Sequence, residues 1–316
     1  MSRTIGGVGY VSTKSRKAVE EAIKELNYTP SQVARSLRQQ RSPLIGLIVS
    51  DIKNPYYPEL VGGIEEQVHQ KGYSLILCNT QDNPEREIKY LDFLLSQRAD
   101  GIIICSSGLV RRNIKKLNTL NTHIVLADVE IDLLSAKFPR VFSDSRNGGF
   151  LVGKHLAECG YTKIVYIGSD LERRDGSPRY EGLKAGCGSI PVHYFSGGES
   201  LNSSSEVMDA ILERIKPPFA IFAHNDLSAI GVLSSLRNKG IEVPGEIGVV
   251  GYDNITISSF ISPQLTTVKH NHQLLGASAV TILESLISGK PSTAEMKIPL
   301  ELIVRNSTTQ KIGRKK

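Results

Sequence analysis

Apolar residues recur along this chain in two alternating patterns. Four short continuous runs, Leu44-Ile45-Gly46-Leu47-Ile48-Val49, Tyr73-Ser74-Leu75-Ile76-Leu77-Cys78, Gly101-Ile102-Ile103-Ile104-Cys105 and His123-Ile124-Val125-Leu126-Ala127, read as strands covered on both faces. Asn54-Pro55 opens a helix that ends before Gly72, and Asn83-Pro84 opens another with Ile88, Leu91 and Leu95 as its inner face. The rhythm then restarts. Helices are predicted over 147–159, 179–185, 203–215 and 227–238, and strands over 163–167, 192–195, 219–222 and 247–250. A helix over 273–288 and a strand over 295–299 close the series. This alternation predicts an α/β body of two doubly wound parallel sheets. The expected division puts residues 43–145 with 270–298 in one subdomain and 146–269 with 299–309 in the other. Two such sheets facing each other leave a cleft at the carboxyl ends of their strands, where open α/β sheets take ligands.

The first 42 residues follow a different pattern. Ser12 can cap a helix running to Leu26, with Val19, Ile23 and Leu26 on one face. Asn27-Tyr28-Thr29-Pro30 stops it, and Pro30 opens a short second helix over 31–38 before Ser42-Pro43 breaks the chain. Charge sharpens this division. The net charge is +6, yet residues 1–42 hold eight Lys/Arg against three Glu, and the tail 310–316 adds four more bases. The body between them is therefore mildly acidic. A basic all-α head on an acidic body suits a polyanion such as DNA.

No apolar run approaches the ~20 residues of a membrane helix, and the first residues hold no apolar stretch of a secretory signal. Cys78, Cys105, Cys159 and Cys187 lie far apart with no CxxC pair, and read as buried free thiols of a reducing cytoplasm. Gly6-Gly7-Val8-Gly9 has no strand before it and the wrong spacing for a nucleotide loop. His270-Asn271-His272 has metal-like spacing but no Cys/His partner motif, and reads as a surface pair. No Gly-x-Ser-x-Gly elbow or other catalytic constellation occurs, so neither an enzyme nor a bound cofactor or metal is expected.

Several motifs, in order, resemble the LacI/GalR-type bacterial transcription regulators. They are Tyr28-Thr29-Pro30-Ser31-Gln32-Val33-Ala34-Arg35-Ser36-Leu37, Ile45-Gly46-Leu47-Ile48-Val49, Asn54-Pro55-Tyr56-Tyr57, Asn225-Asp226-Leu227-Ser228-Ala229-Ile230-Gly231, Gly251-Tyr252-Asp253-Asn254 and Leu265-Thr266-Thr267-Val268. Together they span almost the whole chain. The resemblance implies a helix-turn-helix head, a hinge helix and a two-subdomain core like that of periplasmic sugar-binding proteins. It also implies a cytoplasmic homodimer, or a higher assembly, whose affinity for operator DNA answers to a small molecule, a sugar in many members. The rival reading is a cytosolic sugar binder without operator binding.

For the head, the resemblance implies that Ser2 and Arg3 belong to the last turn of the recognition helix, most of which would precede Met1. Members usually carry valine where Met1 stands. A GTG codon reads as valine internally and methionine at a start, so a misassigned start upstream of a complete head is one expectation and a truncated head the other. Leu37 matches the hinge leucine that wedges between base pairs of the minor groove, with Val33 and Ala34 lining the groove and Arg35, Arg38 and Arg41 near phosphates.

For the core, it implies effector contacts from Tyr56, Tyr57, Arg179, Asn225 and Asp253, with Asn147 at a position often acidic in sugar-responsive members. Such residues supply the aromatic face and the planar hydrogen-bonding groups that a sugar needs. Asp82 and Asp128 also follow strands. The alternatives are that Asp253 and Asn225 are only helix caps, Arg179 a surface ion-pair residue, and either tyrosine a core residue. One stretch departs from the family. Gly186-Cys187-Gly188 stands where relatives continue a helix, and Glu199-Ser200 stands where an effector-stacking aromatic usually follows the Gly197-Gly198 turn. That departure argues against borrowing an effector class from purine- or lactose-type members.

Overall fold

Alternate side chains of the central strands enter opposite cores. In β1 (Ser42–Val49), Ile45, Leu47 and Val49 join one cluster and Ile48 joins another; in β3 (Ala99–Cys105), Ile103 and Ile102 divide in the same way. Burial on both faces is why these strands are continuously apolar. The structure is a computed structural model describing residue 10 and residues 12–26, 42–130, 137–169, 176–198 and 200–308. With β2 (Ser74–Asn79), β4 (His123–Ala127), β5 (Arg140–Ser143) and β11 (Glu295–Ile298), these strands form a six-stranded sheet in the order β11-β5-β4-β3-β1-β2, parallel throughout.

The second sheet repeats the design. Strands β6 (Ile164–Gly168), β7 (Val192–Ser196), β8 (Phe219–Ala223), β9 (Ile247–Asp253), β10 (Thr266–Lys269) and β12 (Glu301–Ile303) lie in the order β12-β10-β9-β8-β6-β7. Among the described residues only the β10–β12 pair of this sheet is antiparallel. The chain passes between the two sheets at 143–145, 269–272 and 298–301.

The helices pack on both faces of each sheet. In the head, α1 (Thr13–Glu25) is capped by Ser12, whose Oγ accepts from Ser15 N–H. The first sheet carries α2 (Tyr56–Gln70), α3 (Pro84–Ser96), α4 (Ser107–Leu117) and α9 (His272–Ile287). The second carries α5 (Ser145–Glu158), α6 (Pro178–Cys187), α7 (Leu201–Arg214) and α8 (Asp226–Asn238). Among the described residues no helix is long and apolar enough to cross a membrane. All four cysteines are free and buried.

Three expectations need correction. On α3 the buried residues are Glu87, Leu91 and Leu94, whereas Ile88 and Leu95 stand at the margin; the face turns because Glu87 is drawn inward by Arg112. Gly186 and Cys187 do not interrupt a helix. They form the last turn of α6, which ends at Gly188 with φ +61°. Their role is close approach: Gly149 and Gly153 of α5 face Gly182 and Gly186 of α6, and a Cβ at any of the four would run into backbone of the opposite helix. Finally, α4, β5, β10 and β12 extend the predicted set of elements.

Candidate functional site

Both sheets point the carboxyl ends of their strands at one cavity of about 850 Å³. From the first sheet come Ser50 and Asp51 after β1, Asp82 after β2, Ser107 and Gly108 after β3, and Asp128 and Glu130 after β4. The second sheet contributes Ser169 after β6, His224 and Asn225 after β8, and Asp253 at the end of β9. The first turns of α2, α6 and α7 add Tyr56 and Tyr57, Pro178 and Arg179, and Leu201 and Asn202.

The backbone is strained at this rim. Gln81, Asp82, Asp128, Asp253 and Asn254 all have positive φ, from 51° to 113°. Non-glycine residues held there cost ~1–3 kcal/mol each and gather at functional sites. The strain aims carboxylates from both sheets into the same space.

Each carboxylate has a defined setting. Asp128 Oδ2 accepts the hydroxyl of Tyr56, and Oδ1 accepts Ser143 N–H at 3.3 Å. Burial, then Asp128, push the Tyr56 phenol well above its ordinary pKa, so it remains a donor. Asp253 Oδ1 lies 3.5 Å from His270 Nε2, and His270 Nδ1 shares a hydrogen bond of 2.8 Å with Ser143 Oγ. His270 is thus hydrogen-bonded to the end of β5 in the first sheet and lies beside the carboxylate of the second. Glu130 accepts Ser145 N–H at 3.1 Å, and burial raises its carboxyl above the usual range.

Arg179 lies with its guanidinium 3.4 Å from the Tyr252 ring centroid and donates through Nη1 to His224 O. Stacking and hydrogen bonding fix its plane. Asn225 caps α8, its Oδ1 accepting Ser228 N–H at 2.8 Å, and it also lines the cavity. Asp253 is no helix cap: the following 3-10 turn, Thr256–Ser259, is entered through Ile255 without a side-chain cap.

Tyr56, Tyr57, Arg179, Asn225 and Asp253 are thus brought together, with Asp82 and Asp128 beside them. Asn147 is not among them. It is exposed on the first turn of α5, where its N–H donates to Asp144, and Ser145 takes the place at the cavity. Ser2, Arg3, Val33, Ala34, Leu37 and Arg38 lie outside the described residues.

His270 and His272 correct the expectation of a surface pair. His270 is 5% exposed, and the two rings stack at 5.7 Å against the edges of Tyr56. Burial lowers the His272 pKa to about 4, so that ring is neutral at pH 7. Among the described residues no group of three His, Cys, Asp or Glu could hold a metal ion.

Residues 42–306 match the family model "Periplasmic binding proteins and sugar binding domain of LacI family". The chain belongs to the LacI family. A relative, the HTH-type transcriptional repressor PurR of Actinobacillus pleuropneumoniae serotype 3, is 37% identical over 317 residues, 97% of this chain and 93% of the relative. As a member of that family the chain is an effector-responsive transcriptional repressor.

The solved structures agree with this placement. The lac repressor dimer bound to operator and the anti-inducer ONPF has a TM-score of 0.85 at 27% identity, covering 98% of this chain and 94% of that one. A LacI family transcriptional regulator from Enterococcus faecium with bound ribose has a TM-score of 0.73 at 26% identity, covering 84% and 99%. Sequence reasoning toward the LacI-family site missed Lys53, Glu130, Arg111, Arg112 and His270 at the cavity. The amphipathic run Leu109-Val110-Arg111-Arg112-Asn113-Ile114 after a Ser-Ser-Gly turn was the signal that could have found α4.

Proposed function

We propose that this repressor takes a sugar or similar polyhydroxylated small molecule between its two sheets and passes the occupancy of that site to an operator-bound head. The single observation that carries the reading is the convergence of Asp128, Asp253 and Arg179 on one cavity. Ionised carboxylates accept from hydroxyls, and a planar guanidinium donates to a hydroxyl pair. Tyr56 and Tyr57 offer the apolar face. Asp128 belongs to the first sheet and Asp253 to the second, so a ligand held by both changes how the sheets sit together.

The signal has a short route to the head. β1 runs from Ser42, which follows the basic segment directly, to Val49, beside the cavity residues Ser50 and Asp51. Its eight residues span roughly 26 Å at ~3.3 Å each. On this reading residues 1–42 contact operator DNA, with Leu37 as the minor-groove wedge, Val33 and Ala34 beside it, and Arg38, Ser2 and Arg3 near the duplex. The protein then works in the cytoplasm as a homodimer, and the cavity performs no catalysis.

The test is DNA selection from a random duplex pool by the full chain, followed by fluorescence anisotropy on the selected sequence. Specific binding that weakens log-linearly with salt is expected. Retention of no preferred sequence would contradict operator binding and favour a small-molecule binder alone.

A further inference from the structure

One wall of the cavity has a chemistry that a neutral sugar does not require. Arg111 and Arg112 of α4 both line it, as does Lys53 from the loop after β1. Arg112 does not reach toward the carboxyl end of its helix, where a cation is favoured. Its guanidinium lies over the first turn: a Cβ on Gly108 would stand 2.8 Å from Nη2 and 3.1 Å from Nη1. The amino end of a helix carries partial positive charge, so a cation held there is opposed by the helix itself. No acidic residue stands in that turn to offset it.

Glu87 of α3 holds the guanidinium in place. Its carboxylate is 0% exposed and accepts from Arg112 Nε at 3.1 Å and from Nη2. The fork occupies those two nitrogens, and Nη1 has no acceptor among the described residues. Nor does the Lys53 ammonium form an ion pair among them. A buried acid on one helix thus fixes a cation against the disfavoured end of another. Lys53 adds positive charge that Glu87 does not cancel, and Arg111 lines the same cavity.

We propose that Lys53, Arg111 and Arg112 form a subsite for an anionic group, a phosphate or a carboxylate, on a polyhydroxylated effector whose hydroxyls meet Asp128 and Asp253. This rests on the effector reading above. Guanidinium planes match both groups bidentately, and the N–H groups of the first turn of α4 add to them.

Titration calorimetry on the full chain tests it with matched probes: glucose against glucose 6-phosphate and glucuronate, and ribose against ribose 5-phosphate. In at least one pair the charged sugar should bind tenfold or more tightly than its neutral partner. The double variant Lys53→Gln/Arg111→Gln should cut that ratio below threefold while neutral binding persists. It leaves the Glu87–Arg112 fork intact; if it melts early, the wild-type ratio decides by itself. Preference for the phosphate esters or for glucuronate identifies the anion, and either supports the subsite. Neutral sugars binding as tightly as their charged partners would overturn the subsite and leave the effector reading standing. Binding of none of the sugars would overturn both.

Discussion

Tyr56, at the start of α2, donates its hydroxyl to Asp128, at the end of β4, and so ties a helix to the strand end that forms one side of the cavity. Both are held by the fold before any ligand arrives: Tyr56 is 5% exposed and Asp128 sits at φ +54°. Tyr56→Phe removes the donor and, among the described residues, leaves Asp128 with Ser143 N–H at 3.3 Å. A hydrogen bond to a charged group contributes ~1.5–3 kcal/mol. The urea midpoint should fall by the corresponding amount, and ligand-induced stabilisation should shrink. An unchanged midpoint would show that Asp128 finds another donor.

Glu87 and Arg112 should respond unequally to removal. Arg112→Leu strands a carboxylate with no exposure, whereas Glu87→Leu releases an arginine side chain that is already 40% exposed. Breaking a fully buried pair costs ~3–5 kcal/mol, and the open side of this one lowers that to about 2 kcal/mol. Urea unfolding should rank Arg112→Leu as the more damaging change. The reverse order would mean that Glu87 is solvated through a path the packing does not suggest.

Asp226 gives stability a pH dependence. Its buried carboxylate accepts from Ile255 N–H at 2.9 Å and from the hydroxyls of Ser258 and Thr267, both at 2.5 Å. Those donors favour the charged form, but burial and the neighbouring Asp253 outweigh them and lift the pKa from 3.8 to about 7. The folded state therefore keeps a proton that the unfolded chain releases. This contribution is fully present below the unfolded pKa and is lost as the pH rises through about 7. Between about pH 4 and about pH 8, wild type should lose a few kcal/mol relative to Asp226→Asn in urea unfolding. Parallel profiles would place the Asp226 pKa near that of the unfolded chain.

The close approach of α5 and α6 leaves no space for a methyl group. A Cβ on Gly182 would meet the Arg146 carbonyl oxygen. Overpacking of this kind costs ~1–3 kcal/mol. Because α6 carries Arg179 in its first turn, Gly182→Ala should lower both the urea midpoint and ligand affinity. Full ligand affinity in a destabilised variant would uncouple the helix from the site.

The strands were legible because burial on both faces leaves a continuous apolar run, as in Ile102-Ile103-Ile104. The face of α3 was not, because periodicity treats Glu87 as polar and cannot see an arginine 25 residues away. The same blindness hid Arg112 and made His270 a surface residue; the fold buries it by bringing Tyr56 and Tyr252 against the crossing from β10 to α9. Tyr56, Tyr57, Arg179, Asn225 and Asp253 could be placed because each ends or follows a strand, or opens a helix, at the carboxyl edge of a sheet. Asn147 opens a helix too, yet the first turn of α5 presents Ser145 to the cavity instead. The positive φ angles that aim Asp128 and Asp253 inward carry no sequence mark, since neither residue is glycine.

Under the proposed function, occupancy of the cavity and affinity for DNA are energetically linked. Linkage is reciprocal: a ligand that changes DNA affinity by some factor must have its own affinity changed by DNA by the same factor. The direct measurement is a pair of titrations on the full chain with a selected duplex and the tightest-binding sugar of the matched panel. One reads DNA affinity with and without the sugar, and the other reads sugar affinity with and without the DNA. Equal factors of about 5–150 are expected, both collapsing to one in Asp253→Asn. A sugar that binds through Asp253 while leaving DNA affinity unchanged would contradict it.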